Sequence, residues 1–171
     1  MKLLVVVDMQ NDFVTDALGT KEAQAIVQNV KEKIETEISN GNKVIFTMDT
    51  HTKDYLNTQE GKNLPVVHCV KNTKGWEMIP ELLPFTKDHT VIEKPSFGSM
   101  ELAKLVTAEK YDEIELIGLC TDICVISNAM IIKTAVPEIP MCIDASCCSG
   151  VTPESHNNAL EAMKMCQITI K

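Results

Sequence analysis

Arginine is missing from this chain. All sixteen basic side chains are lysines, set against 24 aspartates and glutamates for a formal net charge of −8. Arginine is the side chain that forks onto phosphate or carboxylate through paired hydrogen bonds and that reads guanine edges. An acidic chain without it is a poor partner for nucleic acid and for an anionic membrane surface. Aromatic residues are also scarce, at 4%, so few rings are available to stack on a ligand. No apolar run approaches the roughly 18 residues of a membrane-spanning helix. The apolar start, Met1 to Val7, meets Asp8 at once and reads as a buried strand rather than a secretory signal. There is no Cys-x-x-Cys pair among the seven cysteines. An odd count without an export signal reads as free thiols in a reducing cytoplasm, most of them small buried apolar groups. The turn after the first strand, Met9-Gln10-Asn11-Asp12-Phe13, lacks the glycines that cradle a dinucleotide, so no nucleotide cofactor is expected.

What is present is ordinary globular chemistry. Apolar residues make up 44% and charged residues 23% of 171 positions, which fits one domain over 1–171 with a core of its own. Short runs rich in Val and Ile predict strands at Leu3–Val7, Lys43–Met48, Thr90–Glu93, Glu113–Ile117, Pro140–Ile143 and Gln167–Ile170. None alternates apolar with polar, as expected for strands covered on both faces. Between them lie helical periods. Ile26, Val30, Ile34 and Ile38 form one stripe, stopped by Asn40-Gly41. Ser99 caps a helix carrying Leu102, Leu105 and Val106, and Thr152-Pro153-Glu154 opens another. Asp122 to Ala135 is apolar almost all round and predicts a buried helix. Strands alternating with helices give an α/β fold, a three-layer doubly wound sandwich with a mostly parallel sheet of about six strands.

In such folds ligands bind outside the carboxyl ends of the strands. The first strand ends at Asp8, the second at Asp49 with His51 beyond, and the third at Lys94. The fourth runs into Gly118-Leu119-Cys120-Thr121-Asp122-Ile123-Cys124. Singly, each has a plainer reading as turn former, solvated base or core filler. Together they place acids, a histidine, a lysine and a cysteine on one rim. Cys124 lies near a helix start, where free amides and the helix dipole favour a thiolate, so it is expected to be the fastest thiol to alkylate.

The chain resembles the isochorismatase-like cysteine hydrolases, and within them the nicotinamidase branch. The residues that carry the likeness are Asp8-Met9-Gln10-Asn11-Asp12-Phe13, Asp49-Thr50-His51, His68-Cys69 with Gly75, Lys94, and Gly118 to Val125. They span nearly the whole chain in the family's order. The resemblance implies a catalytic triad of Asp8, Lys94 and Cys124. It also implies a cis peptide before Cys120 and an oxyanion hole made by the backbone amides of Cys120 and Cys124. One divalent metal ion is implied on Asp49, His51 and His68, with Glu60 a fourth candidate at slightly longer spacing than the family's. Zn, Fe and Mn suit such a mixed site equally. The family's members are often homo-oligomers.

Two departures concern the pocket. The family's usual Trp before the second metal His is replaced by Leu64-Pro65-Val66-Val67, and its Tyr-Ser after the triad Lys by Pro95-Ser96-Phe97-Gly98. Phe13, with Phe97 or Trp76, is left to line a substrate pocket. The expected activity is hydrolysis of a small amide, nicotinamide to nicotinate and ammonia. The alternatives are another small amide of carbamoyl or ureido type, and a non-catalytic homologue that binds a metal or a partner.

Overall fold

Six strands run side by side in a computed structural model that describes residues 1–171. They are β1 (Lys2–Val7), β2 (Lys43–Asp49), β3 (Thr90–Lys94), β4 (Glu113–Leu119), β5 (Met141–Ser149) and β6 (Thr169–Ile170). Every neighbouring pair is parallel, in the order β3-β2-β1-β4-β5-β6. Helices cover both faces, which is why β1, β2 and β4 are buried at nearly every position instead of alternating. The helices are α1 (Asn11–Val14), α2 (Lys21–Ala25), α3 (Val27–Ser39), α4 (Gln59–Asn63), α5 (Met100–Ala108), α6 (Ile126–Ala135) and α7 (Pro153–Met165). This is the doubly wound α/β architecture expected from the sequence.

The local signals act as read. α3 buries Val30 and Ile34, and the chain leaves it through Gly41 at φ 72°. Ser99 Oγ accepts from the Leu102 amide at 3.1 Å. Thr152 and Ser155 cap α7 reciprocally, with Pro153 at its first position.

Four expectations need correction. β5 continues past Ile143 to Ser149, because its ladder with β4 breaks after Leu116–Ile143 and resumes at Gly118–Cys148. The polar and small residues Asp144 to Ser146 sit in that irregularity and disguise the strand. β6 shrinks to Thr169–Ile170, since Gln167, at φ 63°, belongs to the turn out of α7. α6 is not buried all round: Ala129 and Ile132 are, whereas Met130 and Ile131 are half-buried. Leu105 on α5 faces outward, 37% exposed, while Leu102 and Val106 hold the core.

Strand order decides where a site can form. The chain winds outward through β1, β2 and β3, then returns to lay β4 beside β1, so β1 and β4 flank the switch point. Register pairs Val7 with Thr47 on one side and with Gly118 on the other, and pairs Asp49 with Lys94. Asp8, Asp49, Lys94 and the segment after Leu119 therefore emerge together at one edge of the sheet.

Gly118 makes that edge possible. It sits at φ 112°, and a β-carbon there would lie 2.2 Å from the Val7 carbonyl oxygen. Gly41 also has a positive φ, 72°, but open space around it. Gly118→Ala is expected to cost more than about 3 kcal/mol of stability, against about 1 kcal/mol for Gly41→Ala, where only backbone strain is added. Urea unfolding of the two variants measures the difference, and equal midpoints would refute the steric argument.

Candidate active site

Lys94 is the last residue of β3, and its side chain is fully buried. Lysines are almost never buried without partners, and this one has four. Nζ lies 2.7 Å from Asp8 Oδ2 and 3.4 Å from Asp49 Oδ1, and it donates to the Ser96 carbonyl at 2.9 Å and to Cys124 Sγ at 3.4 Å. Asp8 follows β1 in the left-handed region at φ 49°, a conformation Asp tolerates better than most residues. The turn is held by the Asp8 amide donating to the Thr47 carbonyl at 3.2 Å and by the Gln10 amide donating to the Asp8 carbonyl at 2.8 Å. Thr47 also donates its hydroxyl to Asp8 Oδ1 at 2.6 Å. Cys124 lies in a wide helical turn over Thr121–Val125, where the Val125 amide reaches back to the Cys120 carbonyl at 3.0 Å. The Leu119–Cys120 peptide is cis, as the resemblance implied.

The residues after Asp8 act on a distant loop. Gln10 grips the backbone of Asp49 at both ends: Oε1 accepts from the Asp49 amide at 2.7 Å and Nε2 donates to its carbonyl at 2.9 Å. Gln10 Nε2 and Asn11 Nδ2 also donate to the carbonyls of Trp76 and Lys74. Asp12 accepts the Cys69 amide at 2.7 Å, and a β-carbon on Gly75 would strike its carboxylate at 2.2 Å. The segment that carries His68 is thus pinned to the first turn.

That segment completes a second cluster. One donor atom each from Asp49, His51, Glu60 and His68 lies within 4.8 Å of every other. His51 Nε2 is 2.8 Å from Asp49 Oδ2 and 3.6 Å from Glu60 Oε1, and His68 Nε2 is 3.6 and 3.7 Å from the same two oxygens. Ligand atoms around a tetrahedral Zn site stand roughly 3.3 Å apart, given bond lengths near 2.0–2.1 Å. His68 Nδ1 pairs with the Val66 carbonyl at 2.7 Å, which leaves Nε2 as the free lone pair. His51 Nε2 is buried without an aligned hydrogen bond. An orphaned imidazole nitrogen facing two carboxylates fits a divalent cation, and Glu60 belongs to the set despite its spacing. Tyr55 backs both rings, with centroids 4.7 and 4.9 Å from His51 and His68.

A cavity of about 720 Å³ joins the two clusters. Asp49, Glu60, His68, Cys120 and Cys124 line it, and so do Phe13 and Phe97, the two expected pocket rings. Phe13 is buried with its ring 5.5 Å from that of His68, whereas Phe97 is 43% exposed. Trp76 does not reach the cavity: its indole N–H donates to Thr50 Oγ1 at 2.9 Å. Leu64 occupies the wall in the stretch where the family's Trp is missing.

Burial works against the expected thiolate. Burial, reinforced by the Asp8 charge, pushes Cys124 well above the ordinary thiol range, and Lys94 only partly opposes this. Burial likewise raises Asp8 despite Lys94. Burial disfavours the Lys94 charge, but the Asp8 and Asp49 carboxylates beside it outweigh that cost. Desolvation beside a carboxylate opposes the pull of the helix start on this thiol.

Two residues that support the cluster went unrecognised in the sequence. Thr47 is one, and a lone hydroxyl inside the apolar run Lys43–Asp49 was its signal. Asn128 is another: fully buried, it donates to the Cys124 carbonyl at 2.8 Å and the Phe97 carbonyl at 3.2 Å, and accepts from the Ser99 amide at 2.9 Å. It ties the Cys124 helix to the loop after Lys94.

Residues 2–171 match the Isochorismatase domain family, and the chain belongs to it. An uncharacterized isochorismatase family protein of Bacillus subtilis (strain 168) is 30% identical over 145 residues, covering 75% of this chain and 76% of its own. The zinc complex of Pyrococcus horikoshii pyrazinamidase is similar with a TM-score of 0.87 at 28% identity, over 99% of this chain and 98% of that one. The N-carbamoylsarcosine amidase of Thermoplasma acidophilum is similar with a TM-score of 0.81 at 27% identity, over 99% and 95%.

Burial sets the order of thiol labelling. Cys166 is exposed, whereas Cys124 is 5% exposed and lies where burial and the Asp8 charge disfavour its thiolate. A bulky charged disulfide reagent near neutral pH should modify Cys166 at least about tenfold faster than Cys124, because rate follows access and thiolate fraction. Peptide mapping of a time course reads this, and Cys124 labelling first would restore the activated-thiol picture.

Proposed function

We propose that this isochorismatase-family chain is a cysteine amidase that hydrolyses a small neutral carboxamide through a thioester, with nicotinamide as its substrate. One observation carries the reading: an ammonium in contact with both a carboxylate and a thiol, buried beneath a cavity large enough for a small molecule. Asp8 is placed to take the Cys124 proton, and Lys94 keeps the resulting charges in register. Sγ attacks the carbonyl carbon, and the oxyanion is received by the amides of Cys120 and Cys124. Asp8 returns the proton to the departing nitrogen, and ammonia leaves. Asp8 then draws a proton from water, which cleaves the thioester and frees the acid and the thiol.

Asp49, His51, Glu60 and His68 would hold a divalent metal, whose chemistry there is to offer an electrophilic anchor for a ring nitrogen. The donor set supports this role, and so does a zinc-complexed pyrazinamidase of the same fold. A neutral substrate follows from the lining, whose charged side chains are Asp49, Glu60 and Asp122 with no lysine among them. A second reading keeps the triad and takes a carbamoyl or ureido amide. It is favoured by Leu64 standing in the wall without a stacking ring, and by the likeness to a carbamoylsarcosine amidase. A purely binding homologue fits poorly, since it would have no use for a buried Asp8–Lys94–Cys124 contact.

Cys124→Ala should lower turnover by at least about a thousandfold, as loss of a covalent nucleophile does. Ammonia release from nicotinamide, pyrazinamide, benzamide and a ureido compound is the deciding assay. Nicotinamide and pyrazinamide should be cleaved, and benzamide, which lacks the ring nitrogen, poorly. Faster cleavage of benzamide or the ureido compound would replace the pyridine reading with the second one. Incubation with Zn or Mn followed by desalting should leave about one equivalent of metal. The His51→Ala/His68→Ala double variant should retain less than about a tenth of that. Equal retention by both proteins would remove the metal assignment.

A further inference from the structure

The cavity is larger than a monocyclic amide needs. At about 720 Å³ it lies within the roughly 300–1,000 Å³ that accommodates drug-sized ligands. Its lining shows where the surplus lies. Asp49 ends β2, and Glu60, Leu64 and His68 stand with it at that side. Gly150 and Val151 follow β5, and Ala23 belongs to α2, which packs on β5. In the strand order β2-β1-β4-β5 those two sides are three spacings apart, about 14 Å at 4.7–4.9 Å each. Cys124 follows β4, between them.

A substrate that reaches from Cys124 toward Asp49 and His68 fills only the β2 side. The β5 side of Cys124 then receives what stands on the other side of the scissile carbonyl, which is the amide nitrogen. Ala23 and Val151 make that side apolar, and Leu18 and Ile123 are further apolar residues of the cavity wall. An NH₂ group alone would leave it filled with poorly bonded water. The one charged side chain on that side, Asp122, is spent on the Val151 amide at 3.1 Å and would repel an anion.

We infer that the enzyme cleaves N-substituted carboxamides, with an uncharged apolar substituent of the leaving amine seated between Leu18, Ala23, Ile123 and Val151. This rests on the amidase reading above and extends it from ammonia to primary amines. The chemistry is unchanged: Sγ of Cys124 bonds to the acyl carbon, the C–N bond breaks, and the amine departs with the proton held by Asp8. Water then cleaves the thioester, giving the carboxylic acid and the free thiol.

The test compares nicotinamide, N-benzylnicotinamide and N-(carboxymethyl)nicotinamide, following nicotinate by chromatography. N-benzylnicotinamide should show kcat/KM within about tenfold of nicotinamide, and the carboxymethyl compound at least about thirtyfold below the benzyl one, as a mismatched pocket discriminates. Val151 is 54% exposed, so Val151→Trp should fold. By narrowing the β5 side it should lower the benzyl-to-nicotinamide ratio of kcat/KM by about tenfold. In a second arm, the Cys124→Ala protein should bind N-benzylnicotinamide at least about threefold more tightly than nicotinamide by calorimetry. Cleavage of nicotinamide with no cleavage and no tighter binding of the benzyl amide would overturn the inference and leave the nicotinamidase reading standing. If neither amide is cleaved, the nicotinamidase reading falls, and the binding arm decides the subsite: tighter binding upholds it and equal binding overturns it.

Discussion

The buried ammonium of Lys94 is the constraint on which the site depends. Removing a charge of that size from water costs several kcal/mol even after relaxation, and only close opposite charge and hydrogen bonding offset it. Asp8, Asp49 and the Ser96 carbonyl supply both, with Cys124 Sγ as a fourth neighbour. These partners come from the ends of β1 and β2, the loop after β3 and the segment after β4. The lysine can be satisfied only if β3-β2-β1-β4 pair in their observed register. Without it, the Asp8 and Asp49 carboxylates would face each other in a dry interior. Fold and site are therefore mutually dependent.

A second layer of hydrogen bonds makes that arrangement rigid. Gln10 fixes Asp49 through its backbone, Asp12 fixes Cys69 beside His68, and Asn128 fixes both Cys124 and the loop that presents Ser96. None of these three side chains lines the cavity. Their work is to hold side chains that do, and each is buried with its polar atoms engaged, as a preorganised site requires.

This division explains what was legible in the sequence. Strand cores, the Gly41 stop and the Ser99 and Thr152 caps rest on neighbours within a few positions, so periodicity and turn chemistry revealed them. Asp8, Asp49, His51 and Lys94 were visible because the strand-end rule makes a spatial claim from a local feature. The roles of Thr47, Gln10 and Asn128 were not, since Thr47 and Gln10 meet Asp8 and Asp49 across 39 residues and Asn128 meets Ser99 across 29. β5 was truncated because a ladder irregularity replaces its apolar residues with Asp144-Ala145-Ser146. The burial of the thiol was hidden for a related reason. The helix start is local and visible, but the burial and the carboxylate that oppose it come from β1.

Asp49 connects the chemistry to the donor cluster. Its Oδ1 faces Lys94 at 3.4 Å, while its Oδ2 faces His51 at 2.8 Å and His68 at 3.6 Å. Burial opposes its ionisation, but bonding to the two imidazoles and the Lys94 charge hold its carboxyl well below the usual range. One carboxylate therefore belongs to both clusters, and Gln10 prevents its backbone from moving to favour either. A cation drawing on Oδ2 would compete with Lys94 for the same negative charge, and Lys94 would then rely more heavily on Asp8, 2.7 Å away. Asp8 is the group proposed to move the proton. On the proposed reading, occupancy of the donor cluster and proton transfer at Cys124 would be coupled through two carboxylates and one ammonium, over contacts of 2.7 to 3.4 Å.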